Sequence, residues 1–382
     1  MPSWKSRLLR SGLCTSATLL VLSGCGQFFP PLGSGGSGGS GGTSTGDYLY
    51  VGNLGTNPLT IAGFSIGTTS ISAISGSDWS VALEPTALAI TPGDTYLYLG
   101  SAAGGIYVYT VGSDGALAIA NGGSPVATGV SPSVLRVDPT GKWLLGASAF
   151  AGQAYVYQIG SGGSLTAISS SVVTLNQRTP ATDLEIAPSG NYVFVSCGTG
   201  GIYEMSFNTG SGALAQINGV LNPKNNGAAD MGLAISPSGN FLLAAETVTG
   251  GVRVFSIGTN GVLTEATGSP YTTNSGAWSV LVDSTGSYVY VANRTAGTVS
   301  AFLLTNTGAL TAVAGSPFTT GTLPVALVED KTKAYIAVVC SGGNPDLQVF
   351  SISSTTPGAL TSFATAKIGT DPTGASSLVG TY

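Results

Sequence analysis

Chemistry in this chain falls to carboxylates, arginines, hydroxyls and four cysteines, because none of its 382 residues is a histidine. That removes Ser-His-Asp and Cys-His nucleophilic arrangements, histidine metal sites and the side chain best matched to proton transfer near neutrality. What remains is a polar set. Arg136, Asp183 and Glu185 fall in strand-like runs, with Arg136 and Glu185 each one residue before the end of its run. Arg178, Asp230, Glu246, Asn293 and Arg294 cluster at strand ends and loops that alternation of antiparallel strands places on one common face. Charges converging beside a channel shift one another's pKa and suit a small polar ligand. The competing reading is an ion-pair network that satisfies buried charge. No catalytic residue, metal ligand or cofactor is assigned. Asp183 and Glu185 have no visible partner fixing a glycosidase geometry, and Arg136 and Arg178 are expected to hold nearby carboxylates low, unsuited to act as a base at neutral pH.

Other candidate motifs fail on context. Gly35-Gly36-Ser37-Gly38-Gly39 has the form of a nucleophile elbow and Gly33 to Gly38 that of a dinucleotide loop, but both lie in a Gly/Ser run without a flanking strand or helix. Asp138-Pro139-Thr140-Gly141-Lys142 carries Arg136 where a phosphate loop needs its first glycine. Cys197 and Cys340 each stand five residues after a recurring aromatic, in the fourth and seventh of seven units. That puts them nearly across a ring, too far for a disulfide, and two buried free thiols are expected. Trp79 and Trp278 sit close to innermost strands, positioned either to stack on a sugar ring or to wedge between units.

The elements that position these residues come from a repeat. Tyr48, Tyr96, Trp143, Tyr192, Phe241, Tyr288 and Tyr335 each open a short apolar run and lie 48, 47, 49, 49, 47 and 47 positions apart. A second register, Gly-X-Leu at Gly115, Gly163, Gly212, Gly261, Gly308 and Gly358, keeps the same period, with a worn copy around Ser70 and Ile71. A strand-rich period of about 40–50 residues is the signature of a β-propeller. Each unit reads as four strands, and Pro139-Thr140-Gly141, Pro188-Ser189-Gly190 and Pro237-Ser238-Gly239 supply tight turns between the first two. Six innermost strands occur in sequence (Thr86–Ile90, Ser133–Val137, Thr182–Ile186, Met231–Ile235, Trp278–Val282, Pro324–Val328), but none precedes Tyr48. The missing one is at the other end, Ala375–Val379. The fold expected is therefore all-β: a seven-bladed β-propeller of four antiparallel strands per blade, closed by the C-terminal strand in the N-terminal blade.

Ahead of residue 47 the composition changes. Lys5, Arg7 and Arg10 precede an apolar run from Leu13 to Leu22 and then Ser23, Gly24 and Cys25, which reads as an export signal too short to span a membrane. Leu22-Ser23-Gly24-Cys25 resembles the lipobox of bacterial lipoproteins, which implies lipidation of Cys25; Gly26 in place of the retention aspartate implies the outer membrane. The organisation expected is 1–24 signal peptide, 25–46 Gly/Ser tether and 47–382 propeller. Loss of the leader leaves 9 Lys/Arg against 17 Asp/Glu, a formal charge of −8. With the basic residues scattered, nucleic acid is not an expected partner.

From Asp47 to Tyr382 the chain resembles the lactonase-type seven-bladed propellers, 6-phosphogluconolactonase-like and muconate-cycloisomerase-like proteins among them. The likeness is carried by Gly308-Ala309-Leu310-Thr311-Ala312-Val313-Ala314-Gly315-Ser316-Pro317-Phe318, its cousin Gly261 to Tyr271, and Tyr288-Val289-Tyr290-Val291-Ala292-Asn293. The resemblance implies lactone chemistry through a histidine with Arg and Glu partners, and no position here can inherit the histidine role. The expected function is a lipid-anchored envelope binding or scaffold module, monomeric, with a small polar ligand, a glycan or a protein as partner. The rival is a lactone hydrolase using Arg178 or Arg136 to hold a carboxylate and Glu185 or Glu246 to activate water.

Overall fold

In a computed structural model of the chain, residues 46–54, 58–148, 152–175, 179–225, 227–248, 251–366 and 375–382 are described. The leader, Cys25, the tether and Arg178 lie outside that set. Seven antiparallel sheets form the blades of one ring. Their inner strands are Ala375–Gly380 in blade 1, then Pro85–Ile90, Pro132–Val137, Asp183–Ile186, Asp230–Ile235, Ala277–Val282 and Pro324–Glu329 in blades 2 to 7. The closing strand pairs with Tyr48–Asn53, in a register that sets Leu49 opposite Gly380 and Val51 opposite Leu378. Thr381 continues this seam, its Oγ1 accepting the Tyr48 N–H at 2.9 Å.

The turn between the inner and second strand is built by one side chain. Asp138, Asp283 and Asp330 follow their inner strands, and one carboxylate oxygen of each accepts the N–H of the aromatic that opens the next strand, Trp143, Tyr288 or Tyr335, at 2.6–2.7 Å. Ser236 and Thr91 do the same for Phe241 and Tyr96 with a hydroxyl. Asp138 and its neighbours therefore form a capped hairpin, with that carboxylate already engaged.

The two sequence registers turn out to be two sides of one contact. The aromatics of blades 1 to 6 lie against the Gly of the Gly-X-Leu in the next blade, as Tyr48 does on Gly115, Trp143 on Gly212, Tyr192 on Gly261 and Tyr288 on Gly358. A Cβ at Gly212 would sit 2.5 Å from the Trp143 ring, and φ there is +75°, so only glycine satisfies both the space and the backbone. Polar tips finish the joint, Trp143 Nε1 donating to Thr209 O at 2.8 Å and Tyr192 OH to Thr259 O at 2.6 Å. Large side chains such as Trp143, Tyr50, Tyr98 and Phe194 are thereby buried between sheets, each contributing about 1.5–3 kcal/mol.

The fourth strand departs from the simple pattern. In five blades it is broken into two short pieces that both pair with the third strand, as Ile71–Ala73 and Trp79–Val81 do along Leu59–Ile66. In three of these, blades 1, 5 and 6, a serine fills the gap by accepting a third-strand amide: Ser77 Oγ from Gly63, Ser269 Oγ from Val254 and Ser316 Oγ from Ala301. Trp79 belongs to such an outer piece, not to the mouth of an inner strand. It packs over Gly63, with its ring centroid 6.5 Å from that of Tyr50, which makes it a wedge within the first blade. Among the described residues no helix is long and apolar enough to cross a membrane.

Candidate functional site

Inner strands do not pair with one another around a propeller axis, so their side chains wall a central cavity, here of about 800 Å³. Along one strand successive side chains alternate between wall and blade interior. Arg136, one residue before the end of its strand in blade 3, points across the seam to blade 4. Its Nη2 donates to Asp183 Oδ1 at 2.8 Å and its Nε to Glu185 Oε1 at 3.1 Å. Asp183 is braced further, accepting the N–H of Leu184 at 2.8 Å and, through Oδ2, that of Leu233 in blade 5 at 2.9 Å. The trio thus ties three blades together while facing the cavity, with 36% of the Arg136 side chain and 25% of Glu185 exposed.

Two carboxylates share one guanidinium, so the cluster carries an excess negative charge unless a proton is held. Burial in the wall raises Glu185 to about 7, and the neighbouring Asp183 charge adds to that rise against the pull of Arg136. Burial likewise raises Asp183. This overturns the expectation that arginine would keep these carboxylates low: desolvation outweighs the guanidinium. Near neutrality the cluster can both donate and accept a proton.

Asp230 and Glu246 are elsewhere. They lie opposite one another on the inner and second strands of blade 5, both fully buried. Like charges directly opposed in a sheet need counter-charge, and Arg253 on the third strand supplies it, 3.0 Å from Asp230 and 3.3 Å from Glu265. Burial still lifts Asp230 to about 6. Glu246 accepts the Lys224 N–H at 2.9 Å and Asn225 Nδ2 at 3.2 Å, while Lys224 Nζ reaches Glu265 and Ser269 O. This is an ionic ladder in the blade wall, enclosed at Asp230, Glu246 and Arg253 and open to solvent at Lys224 and Glu265. Sequence reading missed Arg253, Glu265 and Lys224. A signal existed, since Arg253 interrupts the apolar run Gly251–Ile257 and the pairing of Phe255 with Glu265 puts both charges on one side of the sheet.

Asn293, also buried, is engaged with Thr298 and Ser300 on the third strand of blade 6. Arg294 follows it and lays its guanidinium on the Trp278 ring, 4.6 Å from the centroid. Trp278 lines the cavity. Of the eight sequence candidates the structure brings Arg136, Asp183 and Glu185 together at the axis, encloses Asp230 and Glu246 in blade 5, and places Asn293 and Arg294 at the upper face, where inner strands begin. Arg178 lies outside the described residues. Neither Cys197 nor Cys340 is in a disulfide and both are buried, with burial pushing the Cys340 thiol up to about 11.

Fold and cavity together define a closed seven-bladed propeller with a polar axial site. The sequence profile of the lactonase seven-bladed β-propeller family matches residues 48–185 and 266–373, and the chain belongs to that family. The unmatched stretch, 186–265, carries most of the blade 5 ladder. Among solved structures, a candidate 6-phosphogluconolactonase of Bacteroides fragilis NCTC 9343 is 22% identical, with a TM-score of 0.72 over 89% of this chain and 99% of its own. Its counterpart from Bacteroides uniformis ATCC 8492 is 18% identical, with a TM-score of 0.73 over 88% and 99%. The periplasmic gluconolactonase of Pseudomonas aeruginosa is 16% identical, with a TM-score of 0.67 over 88% and 99%. At such identities the likeness shows the fold. No curated protein matches the chain significantly.

Proposed function

We infer that the protein is a cell-envelope binding module that holds a small polar ligand in its axial cavity and is tethered to a membrane by a lipid on Cys25. The observation that carries the binding role is the convergence of Arg136, Asp183 and Glu185 on one cavity of about 800 Å³, within the usual range of small-molecule sites. A guanidinium clamped by two carboxylates presents fixed donors and acceptors, which suits a ligand rich in hydroxyls. Export and anchoring rest on the basic leader, its short apolar run and Leu22-Ser23-Gly24-Cys25. A glycan-binding surface has less support, because Trp79 is packed inside blade 1. The test is a thermal-shift screen of small polar compounds on the full chain. A ligand at 100 times its Kd adds about 2.7 kcal/mol, and that gain should vanish in Arg136→Gln. A screen whose hits are indifferent to Arg136 would sink the reading.

One observation favours a second reading, lactone hydrolysis. A carboxyl raised to about 7 inside a cavity, as Glu185 is, suits a general base that takes a proton from water as the water attacks a lactone carbonyl. Several structural neighbours are described as gluconolactonases. Against it stand the acidic balance of the chain and the occupation of Arg136 by two carboxylates, which leaves little positive charge for a phosphorylated substrate. Turnover of a lactone panel that disappears in Glu185→Gln would establish it.

A further inference from the structure

The upper rim of the axial cavity is divided into two halves of opposite character. One residue at the start of each inner strand stands at this rim: Ser376, Thr86 and Ser133, second in their strands in blades 1 to 3, Thr182 immediately before Asp183–Ile186 in blade 4, then Met231, Trp278 and Val325, again second, in blades 5 to 7. The four hydroxyls repeat one job. Each donates to a carbonyl at the start of the next blade's inner strand: Ser376 to Pro85 O at 3.1 Å, Thr86 to Pro132 O at 2.5 Å, Ser133 to Ala181 O at 2.7 Å and Thr182 to Met231 O at 3.0 Å. A hydroxyl whose proton is committed keeps lone pairs free to accept. This half of the rim therefore offers acceptors to the cavity.

The other half is apolar, and its geometry is built. Gly232 lets the inner strands of blades 5 and 6 approach until a Cβ there would lie 2.8 Å from Trp278 O and from Ser279 Cα. That contact brings the strands bearing Met231 and Trp278 together and sets both side chains half-exposed at the cavity. Arg294 then stacks on the Trp278 ring. Among the described residues no carboxylate forms an ion pair with it, in contrast to Arg136 and Arg253. Its Nε is buried without a hydrogen-bond partner. An arginine left uncompensated beside an aromatic ring is a site for an anionic group carried on a flat apolar body.

Resting on the reading of the axial cavity as a binding site, we propose that its upper mouth takes a hydroxylated aromatic carboxylate. The ring lies against Met231, Trp278 and Val325, the carboxylate pairs with Arg294, and the phenolic hydroxyl donates to the Thr/Ser half of the rim. The carboxylate reaches Arg294 past the edge of Trp278, since Arg294 stacks on that ring without itself lining the cavity.

The probe is 6-hydroxy-2-naphthoate, titrated into the full chain by calorimetry beside its uncharged counterpart 6-(hydroxymethyl)-2-naphthol. Saturable binding of the acid is expected, at least tenfold weaker for the alcohol and at least tenfold weaker in Arg294→Gln. Met231→Thr with Val325→Ser gives blades 5 and 7 the hydroxyls that blades 1 to 4 already carry, a change the fold accommodates elsewhere, and should also weaken binding about tenfold. Absence of binding, or equal affinity in Arg294→Gln and in the rim variant, overturns the proposal. If the acid does not bind while polar compounds bind in an Arg136-dependent way, the rim proposal fails and the axial site stands. If neither binds, both readings fall.

Discussion

Arg136 and Arg253 form a natural pair for a perturbation, because each is clamped by two carboxylates and only one is in contact with water. Arg253 has 4% of its side chain exposed and its partner Asp230 none, at 3.0 Å, with Glu265 at 3.3 Å. Replacing it by methionine keeps the stem packed on Phe255 and strands Asp230 beside Glu246 without counter-charge. Breaking a buried pair from one side costs about 3–5 kcal/mol. With a urea slope of about 3 kcal/mol/M, the unfolding midpoint should fall by about 1–1.7 M. Arg136→Met leaves Asp183 and Glu185 at the cavity wall, where a proton held between them offsets the lost guanidinium. Its cost should be about 1 kcal/mol or less. The double variant Arg253→Met with Asp230→Leu should recover much of the loss, since Glu265 keeps Lys224 and Ser269 as partners. The assay is equilibrium urea denaturation at pH 7, followed by tryptophan fluorescence. A loss at Arg253 no larger than that at Arg136 would refute the division into a buried Asp230–Arg253 pair and an open cluster.

Removing the chain after Lys367 deletes the strand that closes blade 1 and exposes the edge of Tyr48–Asn53; an insoluble or rapidly proteolysed product is expected, and a product as stable as the parent would contradict the closure. Glu185, raised to about 7 from 4.5, binds a proton in the folded state that the unfolded chain has lost. Its stabilising contribution is therefore complete below pH 4.5 and lost as pH rises through about 7. Asp47 and Asp230, raised to about 7 and about 6, act in the same direction. The urea midpoint should decline between pH 5 and 7.5, with a shallower decline in Glu185→Gln; an unchanged slope in that variant would count against the assignment. Cys25→Ala should release the protein from the membrane fraction without changing its denaturation midpoint, and persistent membrane association would rule out the lipid anchor.

The ring was legible because two independent signals share a period, and both report one contact, an aromatic of one blade on the glycine of the next. Inner strands were placed to within a residue or two, as in Thr86–Ile90 against Pro85–Ile90, since apolar alternation and the turn residues bound them from both sides. The split fourth strand was not legible: in blades 1, 5 and 6 a serine hydroxyl stands in for a backbone carbonyl at the break, and serine is too common in this chain to mark it. Trp79 was misplaced for the same reason, since the outer piece that carries it looks like the approach to an inner strand. Among the charged residues, position along a strand sufficed to bring Arg136 to Glu185, whose equivalent places in neighbouring blades are adjacent at the axis. Asp230 and Glu246 required knowing that Arg253 comes in from the third strand of the same sheet. The rise of Glu185 depends on how much water reaches the wall, a quantity that spacing does not carry.

Arg136, Asp183 and Glu185 are proposed to form a binding site at the axis and not merely a structural clasp. The most direct test is calorimetric titration of the tightest polar ligand from the thermal-shift screen into the parent, Arg136→Gln and Arg253→Met, the last under conditions where it remains folded. At least tenfold weaker binding is expected in Arg136→Gln, with affinity unchanged in Arg253→Met and the ligand recovered chemically intact. Equal affinities in the parent and Arg136→Gln would contradict it.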